Sequence, residues 1–126
     1  MQGHLPPAAQ ERYEDMQEFQ AEAEEVVEKK SAAEAELDDA KSALEALEAA
    51  DDDTTVYQTI GKVRFNVDPA ETQAELEERV EELEAEIESL EAEKERLEEQ
   101  FQNCKEDIKH LLGGAGGDPN TPGTGD

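Results

Sequence analysis

The sequence predicts a mostly α fold: a long antiparallel two-helix coiled coil with a short β-hairpin between the helices. Three observations predict it. Apolar residues recur at steps of three and four along two arms. Between the arms, VYQTIGKVRFNV at 56–67 replaces that period with β-branched residues around a glycine. And Thr54–Val67 holds no Asp or Glu, in a chain with 36 of them against 11 Lys and Arg.

The first helix is expected over about 6–50, with Pro6 and Pro7 suited to a first turn, where a missing N–H costs little. Its apolar seam runs through Met16, Phe19, Ala23, Val26, Lys30, Ala33, Leu37, Ala40, Leu44 and Leu47. The hairpin is expected over about 55–67. Asp51, Asp52 and Asp53 lead into it, and their side chains favour turns over helix. With Gly61-Lys62 as the turn, Val56, Gln58 and Ile60 share one face with Val63, Phe65 and Val67, while Tyr57, Thr59, Arg64 and Asn66 share the other. The second helix is expected over about 69–112, opening after Asp68-Pro69 and ended by Gly113 and Gly114. Its seam passes Leu76, Val80, Leu83, Ile87, Leu90, Lys94, Leu97, Phe101, Cys104, Ile108 and Leu111. Residues 113–126 then read as a flexible Gly/Pro-rich tail beyond a single domain at 1–112.

Neither arm can bury its stripe alone. Pairing residues whose numbers add to 120, an assumed register, sets Ala23 against Leu97, Ala33 against Ile87 and Ala40 against Val80. Small residues then meet large ones, whereas a parallel homodimer would stack Ala on Ala in thin layers. The residue sizes therefore favour an intrachain pair. Lys30 and Lys94 fall in adjacent layers, stems on the seam and ammonium groups among flanking Glu, where they help to set register.

The hairpin has an almost wholly apolar face and two open edges, and an isolated two-stranded hairpin is marginal in water. Copies joining their hairpins into a larger sheet or barrel would cover both. Val56, Tyr57, Ile60, Gly61, Val63, Phe65 and Val67 are the candidate oligomerisation residues, and the lack of acids there avoids burying charge. A hairpin that merely covers a loop in a monomer is the plainer alternative.

A formal net charge of -25 excludes whole classes of function. Such a surface repels nucleic-acid phosphates and anionic lipid, so no nucleic acid and no membrane is expected as a partner. No apolar run approaches the roughly 20 residues that span a bilayer, and MQGHLPPAAQ lacks the features of a signal peptide, which predicts a cytoplasmic protein. The excess of acid suggests a cytoplasm of molar salt, where a Debye length near 3 Å screens Glu–Glu repulsion. An ordinary acidic coiled coil is the alternative. Catalytic, cofactor and metal constellations are lacking: His4, His110 and Cys104 do not have the close spacing of zinc motifs, so no enzyme and no cofactor is expected.

A helix opening near LPP, a DDD-x-x-VY lead into a hairpin with a central glycine, and a second arm reading ELEERVEELEAEIESLE resemble the β subunits of archaeal prefoldin, from about Met1 to Leu112 and most specifically through DDDTTVYQTIG. The resemblance implies a prefoldin-like domain in a hexamer of two α-type and four β-type subunits. It also implies that the arm tips hold unfolded polypeptides for delivery to a group II chaperonin, without ATP. Candidate client-binding tip residues are Leu5, Tyr13, Met16, Phe19, Ile108, Leu111 and Leu112. Tyr13 and Leu112 fall beside the seam and could face outward, and Arg12 interrupts the seam there. A Met- and aromatic-bearing tip offers adaptable weak contacts, which several copies would add up as avidity. A structural or adaptor coiled coil, and an acidic chaperone of basic proteins, are the competing readings.

Overall fold

The computed structural model describes residues 5–116. The order is α1 (Pro7–Ala49), β1 (Val56–Ile60), β2 (Val63–Val67) and α2 (Pro69–Gly116). Both helices start on a proline whose missing N–H falls where no intrahelical partner exists. At α1 the Gln10 amide donates to the Pro6 carbonyl at 3.0 Å, and the Gln10 side-chain Nε2 donates to the Leu5 carbonyl at 3.1 Å. At α2 the Thr72 amide donates to the Asp68 carbonyl at 2.9 Å, so Asp68 takes the capping position. Glu71 adds an acid in the first turn, where the helix dipole favours it.

Two compact units form, one from Met1–Val27 with Ala92–Asp126 and one from Glu28–Glu91. In the central unit, ion pairs cross between the helices. Lys30 Nζ lies 2.6 Å from Glu91, Arg79 2.7 Å from Glu36 and Lys41 3.6 Å from Glu84. As the α1 number rises the α2 number falls, so the helices run antiparallel, and these pairs bracket the register assumed from residue sizes.

The core bears out the small-on-large expectation. Buried on α1 are Ala9, Val26, Ala33 and Ala40; buried on α2 are Leu83, Leu97, Cys104 and Ile108, with Leu83 fully covered. Each small residue lies under neighbours too large for water to pass, which is how a thin two-helix protein excludes solvent at all. Lys30 and Lys94 are half-buried, their ammonium groups beside Glu91 and Glu34 and beside Glu98 respectively.

Chain reversal at the end of α1 uses the acidic triplet. The Thr54 amide donates to the Asp51 carbonyl at 2.9 Å, closing a tight turn with Asp at its first position. The hairpin is antiparallel, with Val56 opposite Val67, Gln58 opposite Phe65 and Ile60 opposite Val63, so the two faces divide as the alternation predicts. Gly61 has φ +60° and no other described residue has positive φ, so the turn carries its left-handed residue first, as type II′ hairpins do.

The end of α2 departs from expectation. The helix passes through Gly113 and Gly114 to Gly116. Glycine weakens a helix by about 1 kcal/mol against alanine but does not forbid it, and a glycine stop requires the left-handed conformation that neither residue adopts. The rest of the tail, residues 117–126, lies outside the described residues.

Candidate functional site

Two groups of exposed apolar side chains stand out, one on the hairpin and one in the terminal unit. On the hairpin, Ile60 is 59% exposed, Val63 54% and Phe65 47%, and all three share a face with the half-buried Val56 and Val67. Their position follows from the strand period of two and from the Ile60↔Val63 pair that closes the turn. Gln58 is the only polar side chain on that face. On the other face Arg64 lies over the Tyr57 ring, 5.2 Å from its centroid, a diagonal cross-strand contact that orders Tyr57 while leaving it exposed. Gly61 sits at the open tip, with nothing near the position a Cβ would take.

Beside β1 lies a groove of about 640 Å³, bordered by Ala46, Leu47, Val56, Tyr57, Leu76 and Arg79. Sequence reasoning missed it. A signal was available in the small residues Ala43, Ala46 and Ala50, which flank the seam at the end of α1 and leave room there. Arg79 is held at the rim by a two-point contact with Glu36, 2.7 Å from Nε and 3.0 Å from Nη2, and by Glu82 at 3.2 Å from Nη1. These hydrogen bonds lower the Glu36 pKa below the usual carboxylate range and raise that of Arg79.

In the terminal unit, Tyr13 and Leu112 are exposed, as their off-seam positions predict. Leu5, Met16, Phe19 and Leu111 are half-buried and Ile108 is buried, so the candidate tip residues form a graded set rather than one open patch. Arg12 is neutralised by Asp15 at 2.7 Å, with Glu11 at 3.9 Å. Cys104 is a free, buried thiol whose pKa is raised by that burial, which keeps it protonated and unreactive. Among the described residues no cluster of His, Cys, Asp or Glu could hold a metal, and His4 lies outside them. No described helix is long and apolar enough to cross a membrane.

Comparison with known proteins points in one direction. A family model described as prefoldin subunit matches residues 10–115. The prefoldin subunit beta of Natronomonas pharaonis is 48% identical over 118 residues, covering 93% of this chain and 90% of that relative. The prefoldin subunit beta of Halobacterium salinarum is 38% identical over 80 residues, and the match spans 64% of each of the two chains. Relatives from halophilic archaea fit the reading of the acidic faces as an adaptation to high salt. The crystal structure of the prefoldin beta subunit from Thermococcus strain KS-1 superposes with a TM-score of 0.76 at 30% identity, covering 88% of this chain and 97% of that one.

Proposed function

The chain belongs to the prefoldin subunit family, and from that premise we propose that it is an ATP-independent co-chaperone. It joins other prefoldin subunits through its hairpin, two α-type with four β-type, and holds unfolded polypeptides at its coiled-coil tips for delivery to a group II chaperonin in the cytoplasm. Binding alone performs this work, so no catalytic step is needed.

The observation that carries the proposal is the hairpin face. Ile60, Val63 and Phe65 expose about half their surface on a face without a single charge. Water cannot favour such a face, and burying it against a like hairpin removes apolar surface at roughly 25 cal/mol per Å². Val56, Tyr57 and Val67 extend the contact, and Gly61 supplies the turn that sets both strands in register.

Client holding rests on the terminal unit. Tyr13 and Leu112 make the first contacts, since both are exposed and neither is needed to close the seam. Leu5, Met16, Phe19 and Leu111 add area as the helix ends fray, and Ile108 contributes only if the tip opens. Such contacts are weak singly and gain from repetition over several subunits.

The test has two arms, both in molar KCl. Co-expression with an α-type subunit followed by native mass should give a two-to-four hexamer, and a persistent lone chain would defeat the assembly reading. The triple variant Leu5→Ser, Tyr13→Ser, Leu112→Ser should form the same assembly yet lose most suppression of aggregation of a denatured client. Full suppression by an intact assembly would remove the tip assignment.

A further inference from the structure

We infer that the outer edge of β1, together with the groove beside it, receives a strand from a second copy of this chain, and that the outer edge of β2 does not. The inference rests on the assembly reading above and adds which edge pairs and with what.

In a two-residue hairpin the pair that closes the turn is hydrogen-bonded, so Ile60 and Val63 point their backbone groups inward. Alternation then turns the N–H and C=O groups of Thr59 and Tyr57 outward from β1, and those of Arg64 and Asn66 outward from β2. Both edges are open within one chain, but they differ in what lies beside them. The groove borders Val56, Tyr57, Gln58 and Thr59 of β1, and no β2 residue lines it. An added strand on this side meets Leu47 and Leu76 as well as a backbone edge. An added strand on the other side meets no such lining.

Charge separates the edges in the same sense. The β1 strand, VYQTI, carries none, and at the groove Arg79 is already matched by Glu36 and Glu82. The β2 edge presents Arg64, with Lys62 in the adjoining turn, and cations of this kind are how natural sheets keep an edge from pairing.

The occupant follows from the pattern of β1 itself. An antiparallel pairing of two β1 strands centred on Gln58 sets Tyr57 opposite Thr59 of the second copy and Thr59 opposite Tyr57 of the second copy, the residues whose backbone groups are free on each side. Val56 then faces Ile60 of the second copy, apolar on apolar. The strand is complementary to itself about a two-fold axis, which is the requirement for a closed contact between identical chains.

Proline tests the edges separately, because it deletes one N–H and is tolerated where that N–H points out of the sheet. Sedimentation of the full chain alone, in molar KCl, should show a dimer or larger for the wild type and for Asn66→Pro. Thr59→Pro should raise the dissociation midpoint about tenfold or more, since each symmetric contact loses the bond twice. Ala46→Phe, which fills the groove without touching the hairpin, should weaken association likewise and guards against a misfolded strand. Dissociation by Asn66→Pro but not by Thr59→Pro or Ala46→Phe would overturn the edge assignment. A wild-type chain that is monomeric alone but assembles with an α-type subunit would overturn the second-copy occupant and leave the proposed function standing. A chain that assembles under neither condition would defeat both.

Discussion

The seam and the hairpin use similar apolar side chains to opposite effect. Leu83 and Leu97 are covered within one chain, while Ile60, Val63 and Phe65 are left about half exposed. The difference lies in the backbone. A helix satisfies its own N–H and C=O groups, so a stripe of side chains is all it must bury, and a second helix suffices. A two-stranded hairpin leaves one face and two edges unmatched, and this chain supplies no third strand. One region is therefore complete in a single chain and the other is not.

Truncation gives the largest expected break in that contrast. Leu83→Ala or Leu97→Ala should cost about 2–5 kcal/mol in a denaturant melt, because a cavity opens in a layer that has no second core behind it. Phe65→Ser, measured on the dissociated chain, should cost under about 1 kcal/mol and yet abolish assembly. Equal losses from Leu83→Ala and Phe65→Ser in the dissociated chain would mean that the hairpin face is already covered.

Salt should act next in size, and chiefly on the helices. Moving from molar KCl to dilute buffer lengthens the Debye length from about 3 Å toward 30 Å and restores repulsion among the Glu side chains. Each like-charged i,i+4 pair costs a few tenths of a kcal/mol, so the helical melt should fall by about 10 °C or more. Circular dichroism at two salt concentrations measures it, and an unchanged midpoint would refute the high-salt reading. The acid-free hairpin should contribute little to the shift.

Smaller still are the ion pairs, which are largely exposed. Glu36→Gln should lower stability by less than about 1 kcal/mol at neutral pH. Because the folded pKa of Glu36 is lowered, its contribution is present above the ordinary carboxylate value and is lost as pH falls through the folded one. The difference between Glu36→Gln and wild type should therefore vanish in acid. Lys30 has the opposite sign. Its pKa is raised by the hydrogen bond to Glu91, so its contribution is full below the ordinary lysine value and fades as pH rises through the raised one. A Lys30→Met variant should differ from wild type by a similarly small amount at neutral pH and not at all in strong alkali apart from a constant packing offset, as read by pH-dependent melts.

Much of this was legible in the residues. The heptad steps from Met16 to Leu47 and from Leu76 to Leu111, the proline starts, the hairpin faces and the turn at Gly61 are all local patterns, readable because helix and strand periods are set by the backbone over a few residues. The sizes of Ala33 and Ala40 even carried the choice of partner helix. The exposure of Tyr13 and Leu112 followed from the same periodicity.

The sequence by itself thus determined the elements, their order and which faces are apolar. Only the tertiary structure decided which of many acids meets each cation, Glu36 for Arg79 and Glu91 for Lys30, because that depends on the register of two helices and not on spacing along one. It also decided that Ile108 is covered while its neighbour Leu112 is not, that α2 runs on through Gly113 and Gly114, and that a groove opens beside β1 and not β2. Each of these turns on what a second segment of chain brings near, and local periodicity carries no record of that.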